Sequence, residues 1–150
     1  MADTSLNENR LGILIWQTSN LWQSKIRQIL KNSDLTFNEY LILETLYKLI
    51  DEHDNITQQD ICKNSSIDRS VVSQKINGLE EKKLLMRSQP KDKRSYGLSL
   101  TNNGILLVES LISSVEKQES FIFDKLGSEI FNFTNSLKLI LGKKIRIKAK

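Results

Sequence analysis

The side chains best suited to chemistry lie between residues 69 and 94. Treated as one helix, residues 69–80 place Val72, Ile76 and Leu79 on one side, with Ser70, Ser73, Gln74 and Asn77 near the opposite side. All four are short hydroxyls or amides. Such groups suit the base edges of a DNA major groove: Gln and Asn pair bidentately with adenine, and Ser reads donors or acceptors. An ordinary solvated helix face would carry the same residue types. Arg69 and Lys75 flank this face and could reach phosphates, contacts that fix register without reading sequence. Farther along, Lys91, Asp92, Lys93 and Arg94 form a short charged run, in which Asp92 suits a turn.

Other reactive residues are sparse. Cys62 is the one thiol, which excludes an internal disulfide framework and fits a reducing cytosol. A free Cys packs as a small hydrophobe. His53 is the one histidine, set in Asp51-Glu52-His53-Asp54. A good zinc site needs three or four converging ligands, so His53 reads as a solvated loop residue. HExxH, CxxC, P-loop and Gly-rich dinucleotide patterns are all missing, and one His leaves few candidates for a general base. No catalytic activity, metal or cofactor is expected. No apolar run approaches the ~20 residues that span a bilayer. The N-terminal MADTSLNENR lacks a positive region followed by an apolar stretch, so no secretory signal is expected and a cytoplasmic location is.

The 150 residues carry a net charge of +4, distributed unevenly. Residues 1–62 are net −4, residues 63–94 net +5, residues 95–137 net −3 and residues 138–150 net +6. Positive charge is thus concentrated in one internal segment and one tail. A concentrated basic patch suits a polyanion such as nucleic acid, although a solvated face is equally compatible with charge alone.

The elements that would position these residues are mostly helical, since there is one Pro and only six Gly. Leu11, Leu14, Ile15, Leu21, Trp22, Ile26 and Ile29 recur at helical steps and predict a first helix over about 10–31. Thr36 with Glu39, and Thr57 with Asp60, have capping-box spacing; Asp68 and Thr101 are further candidate caps. The resulting helices are about 37–51, 57–64, 69–83 and 102–123, with a last one from about 128 to 146. Between 84 and 101, Pro90 and the polar cluster around Asp92 mark a turn between strands at 85–89 and 96–100. The predicted fold class is mainly α with a small β-hairpin wing: a winged helix-turn-helix whose second motif helix lies in the major groove.

At Ile56–Gly104 the chain resembles the MarR (multiple antibiotic resistance regulator) family. The resemblance is carried by Leu79-Glu80 leading to Arg87, by Asp92-Lys93-Arg94-Ser95 and by Leu100-Thr101-Asn102-Asn103-Gly104. The helix order outside this stretch also fits. Three positions depart from the family pattern: Ser65 stands for a large aliphatic residue, and Ser66 and Lys83 stand for glycines. A left-handed Lys83 would cost about 1–2 kcal/mol.

The resemblance implies a dimeric regulator, most simply a repressor, on a pseudo-palindromic operator in double-stranded DNA. An activator or anti-silencer, or an interaction module that no longer binds DNA, shares the fold. It further implies that Arg94 enters the minor groove and that Asp92 helps hold it. Residues of about 10–34 and 102–146 would supply the dimerisation helices and about 36–100 the DNA-binding lobe. Family effector pockets form near Trp16, Trp22, Phe37 and Tyr40, so a small-molecule effector is conceivable, although plain core or dimer packing explains the same residues. The best-known oxidation sensors of the family carry cysteine in the first helix, where this chain has none; Cys62 stands where the family often has alanine.

Overall fold

The computed structural model describes residues 9–88 and 97–147. Its first helix, α1, spans Leu11–Leu30 and ends in a 3₁₀ turn at Lys31–Ser33. Only Ile26 and Leu30 of α1 are buried; Leu11, Leu14, Ile15, Trp16 and Leu21 are exposed. The apolar stripe read from the sequence is thus satisfied at its C-terminal end alone.

Helix α2, Phe37–Leu49, begins where the sequence places a capping box. The Thr36 hydroxyl accepts the Glu39 N–H at 3.2 Å, and the Glu39 carboxylate accepts the Thr36 N–H at 2.9 Å. Thr57 and Asp60 repeat this reciprocal arrangement at the start of α3, Gln58–Ser65. Each pair satisfies two backbone donors that a helix start leaves orphaned. Asp68 precedes α4, Arg69–Glu81, but its side chain makes no capping bond, contrary to the sequence expectation. Between α3 and α4 the chain turns at Ser66, whose φ of 63° is left-handed. Ser66 therefore adopts the conformation for which glycine is favoured at this turn.

Helix α4 stops two residues earlier than expected. Lys83 has φ 60°, its N–H bonds Glu80 O, and the Leu84 N–H reaches back to Leu79 O. This is a Schellman stop with lysine in the left-handed position. The chain then enters β1, Leu85–Ser88, which pairs antiparallel with β2, Gly97–Leu100, in the register Leu85↔Leu100 to Ser88↔Gly97. The Leu98 N–H donates to Ile56 O at 2.8 Å, fastening the hairpin to the segment that leads into α3.

Helix α5, Asn102–Phe123, is capped by Thr101, whose hydroxyl accepts the Gly104 N–H at 2.9 Å. A 3₁₀ stretch, Asp124–Glu129, leads to α6, Ile130–Ile140. The expected last helix, 128–146, is therefore too long at both ends. At its C-terminus Gly142 has φ 71°, and the Lys143 N–H returns to Lys138 O, a second Schellman stop. The tail is partly held after that: the Asn135 amide donates to Arg146 O at 2.7 Å and accepts the Arg146 N–H at 3.0 Å.

The residues group into two compact units, Met1–Val115 and Glu116–Lys150, and α5 contributes to both. The first unit holds the core: Ile26, Leu30, Tyr40, Leu43, Leu46, Ile61, Ile76 and Val108 are among its fully buried side chains. Among the described residues of the second unit no side chain is buried. No helix among the described residues is long and apolar enough to cross a membrane.

Candidate nucleic-acid interface

Helix α4 is divided by its surroundings. Val72, Ile76 and Leu79 have no exposed surface, each burial stabilising by roughly 1.5–3 kcal/mol. With one side fixed in the core, the rest of the helix is presented outward. Arg69, Ser70, Ser73, Gln74 and Asn77 are exposed, and Lys75 is half-buried. The structure thus brings the expected polar residues together on one helix. Lys91, Asp92, Lys93 and Arg94 lie outside the described residues.

Two interactions near this face were not anticipated as site features. Arg87 of β1 donates from Nη1 to Glu80 Oε1 at 3.1 Å and from Nη2 to Asn77 Oδ1 at 2.7 Å. The hairpin therefore grips the exposed face of α4 directly. Its signal in the sequence was Leu79-Glu80 leading to Arg87, read as a family mark without a physical role. The second is Lys82, which caps α4 and donates to Asp34 O and to Glu39 Oε1, the latter at 3.2 Å. Glu39 is the buried charged residue among those described, and Lys82 is its counterion. This ion pair ties the end of α4 to the start of α2.

The other chemical candidates fall away from this face. Cys62 is half-buried and packs against the core. His53 is exposed in the turn after α2, and among the described residues no three His, Cys, Asp or Glu converge as a metal would require. Tyr40 is entirely buried and its hydroxyl donates to Glu44 at 2.8 Å. Trp22 meets Phe37 edge to face at 5.1 Å, with the Arg27 guanidinium 5.7 Å from the Phe37 ring centre. Trp16 is exposed. Partial burial, followed by the carboxylates of Glu109 and Asp51, raises the pKa of the Tyr47 phenol above its usual value, and the Glu109 carboxylate is its hydrogen-bond partner.

The model of the MarR family matches residues 33–95, from the 3₁₀ turn after α1 through α2, α3, α4 and β1, ending just before β2. A helix-turn-helix transcriptional regulator of Bacillus subtilis, YdcH, is 32% identical over 132 residues, covering 87% of this chain and 88% of that protein. The chain belongs to the MarR family. As a MarR-family protein it is a transcriptional regulator and not an enzyme. Among solved structures, Staphylococcus aureus MepR in complex with DNA is similar with a TM-score of 0.79 and 28% identity, covering 91% of this chain and 97% of MepR. BpsR of Bordetella bronchiseptica shares the fold, with a TM-score of 0.81 at 21% identity over 95% of this chain and all of that one. In MarR terms, α3 and α4 are the helix-turn-helix and β1–β2 the wing.

Proposed function

We propose that this MarR-family chain is a homodimeric, sequence-specific DNA-binding repressor. The observation that carries the reading is the division of α4. Val72, Ile76 and Leu79 anchor it, while Ser70, Ser73, Gln74 and Asn77 face outward with the hydrogen-bonding chemistry that base edges require. Arg69 and Lys75 supply phosphate contacts. In the wing, Lys91, Lys93 and Arg94 add positive charge, and Arg94, held by Asp92, enters a narrow minor groove. The solved MepR–DNA complex is a relative in which such a chain sits on DNA. The exposed apolar surface of α1 and of the second unit supports self-association through residues of about 10–34 and 102–146, leaving about 36–100 as the DNA-binding lobe. A two-fold dimer matches a pseudo-palindromic operator and represses by blocking promoter access. A small-molecule effector would act by favouring one spacing of the two α4 helices over another.

Selection of bound fragments from the source genome tests the reading and supplies the operator. Arg94→Ala should weaken binding to that operator tenfold or more at physiological salt while leaving the melting temperature unchanged. Unchanged affinity would overturn the wing assignment, and failure to enrich any fragment would overturn DNA binding.

A further inference from the structure

We infer that Arg87 orients Asn77 so that it presents its amide donors to the major groove, selecting guanine at one position of each half-site. The inference rests on the DNA-binding reading above. Arg87 holds two side chains of α4 at once, Glu80 at 3.1 Å and Asn77 at 2.7 Å. A guanidinium carries five N–H donors and no acceptor. Its partner on Asn77 must therefore be the amide oxygen, which spends one of its two lone pairs on Arg87 and is turned toward it, leaving the Nδ2 hydrogens better placed for a ligand. The bond is charge-assisted, stronger than a bond between neutral amides. Glu80 fixes the guanidinium from its other nitrogen, so the amide has one favoured orientation.

Asn77 is exposed on the same face as Ser70, Ser73 and Gln74. A free asparagine reads adenine by accepting from N6 and donating to N7. With its oxygen turned toward Arg87, Asn77 can no longer aim Oδ1 and Nδ2 together at adenine and presents chiefly its donors. Guanine presents two adjacent acceptors in the major groove, N7 and O6, whereas cytosine presents the N4 donor. The arrangement favours guanine, weakens the preference for adenine and disfavours cytosine. Arg87 acts through Asn77 and is a positioning residue.

The test is selection of bound duplexes from a random pool by the full chain, read position by position, with thermal melting of each variant. The wild type should prefer guanine over adenine at least about fivefold at one position per half-site. Asn77→Ala should flatten that position alone. Arg87→Met should admit adenine there, because the freed amide can pair bidentately, while Arg87→Lys, still a donor to Oδ1, should keep guanine. Asn77→Asp changes an exposed position and does not threaten folding. It retains an acceptor for Arg87, loses the donors, and should replace guanine by cytosine; it decides the matter should Arg87→Met not fold. Two results overturn the inference: an Arg87→Met motif identical to wild type, or an Asn77→Ala variant that weakens all duplexes equally, as loss of a phosphate contact would. A wild-type motif lacking that guanine overturns this inference alone, whereas enrichment of no motif overturns DNA binding itself.

Discussion

Gly104 shows how one missing atom fixes the junction between wing and helix. Thr101 caps α5 and also donates its hydroxyl to Lys83 O at 2.7 Å, while its N–H bonds Leu84 O at 3.1 Å. These bonds pull the chain leaving α4 across the first turn of α5. A Cβ at Gly104 would collide with the Leu84 carbonyl oxygen. In a free helix, Gly→Ala stabilises by about 0.5–1 kcal/mol. Here the sign reverses: Gly104→Ala should destabilise by about 1–3 kcal/mol, as overpacked sites do, and thermal melting checks it. Lys83 presents the opposite case, a lysine held at φ 60°. Lys83→Gly should relieve that conformation and stabilise by about 1 kcal/mol, raising the melting temperature by a few degrees. A lower melting temperature would mean that the lysine side chain contributes more than its backbone costs.

Elements of the first unit are locked by pairs that cross between helices. Lys82 reaches from the end of α4 to Glu39 at the start of α2, and the Glu39 side chain is 5% exposed. Lys82→Met leaves that carboxylate buried without its counterion. Because the lysine is itself one-third exposed, the expected loss is about 1–2 kcal/mol, less than for a fully buried pair. Chemical denaturation measures it, and Glu39→Gln combined with Lys82→Met should recover part of the loss. Tyr47 gives a pH-dependent counterpart, with its pKa raised by burial and by the nearby Glu109 and Asp51 carboxylates. A raised pKa means that the folded state holds the phenol proton more tightly than the unfolded state. Its contribution is complete below the usual value of 10.0 and is lost as pH rises through the higher folded value. Tyr47→Phe should therefore make unfolding less sensitive to pH in that alkaline window, while unchanged sensitivity would count against the pairing. Local rules made much of this legible. The caps at Thr36 and Thr57 follow from three-residue spacing, the cap at Thr101 from residue preference, and the buried side of α4 from helical period. Asp68 matched the residue preference without making the bond. The last helix was read through Gly142 to about 146, yet a left-handed glycine closes it at Ile140. Arg87 was harder, since its partners lie 7 and 10 residues away across a turn, where neither helical nor strand period relates them.

The whole molecule carries more apolar surface than its own core uses. Leu11 is 74% exposed and Trp16 63% on α1; Phe121 is 71% and Ile140 71% in the second unit. In the second unit an open groove of about 410 Å³ is lined by Phe123, Leu126, Ile130, Phe133 and Leu137. Surfaces of this kind mark contacts with other chains, and the proposed dimer covers them with a second copy. Replacing Leu14 and Ile140 with Glu should then yield monomers in sedimentation analysis. The proposed dimer also sets how binding should respond to salt. Each phosphate neutralised contributes about 0.9 to the log–log slope, so two half-sites engaged by one dimer give twice the slope of one. The monomeric variant should therefore bind an operator half-site with about half the wild-type slope and far lower affinity, its α4 and wing being intact. The net charge of +4 does not set this slope, because the acidic stretches lie elsewhere in the chain. The cations that reach phosphate do, and the proposed ones, Arg69, Lys75 and those of the wing, are present twice in a dimer. A monomeric variant that kept the full slope would place the phosphate contacts within a single chain and remove the reason for a palindromic operator.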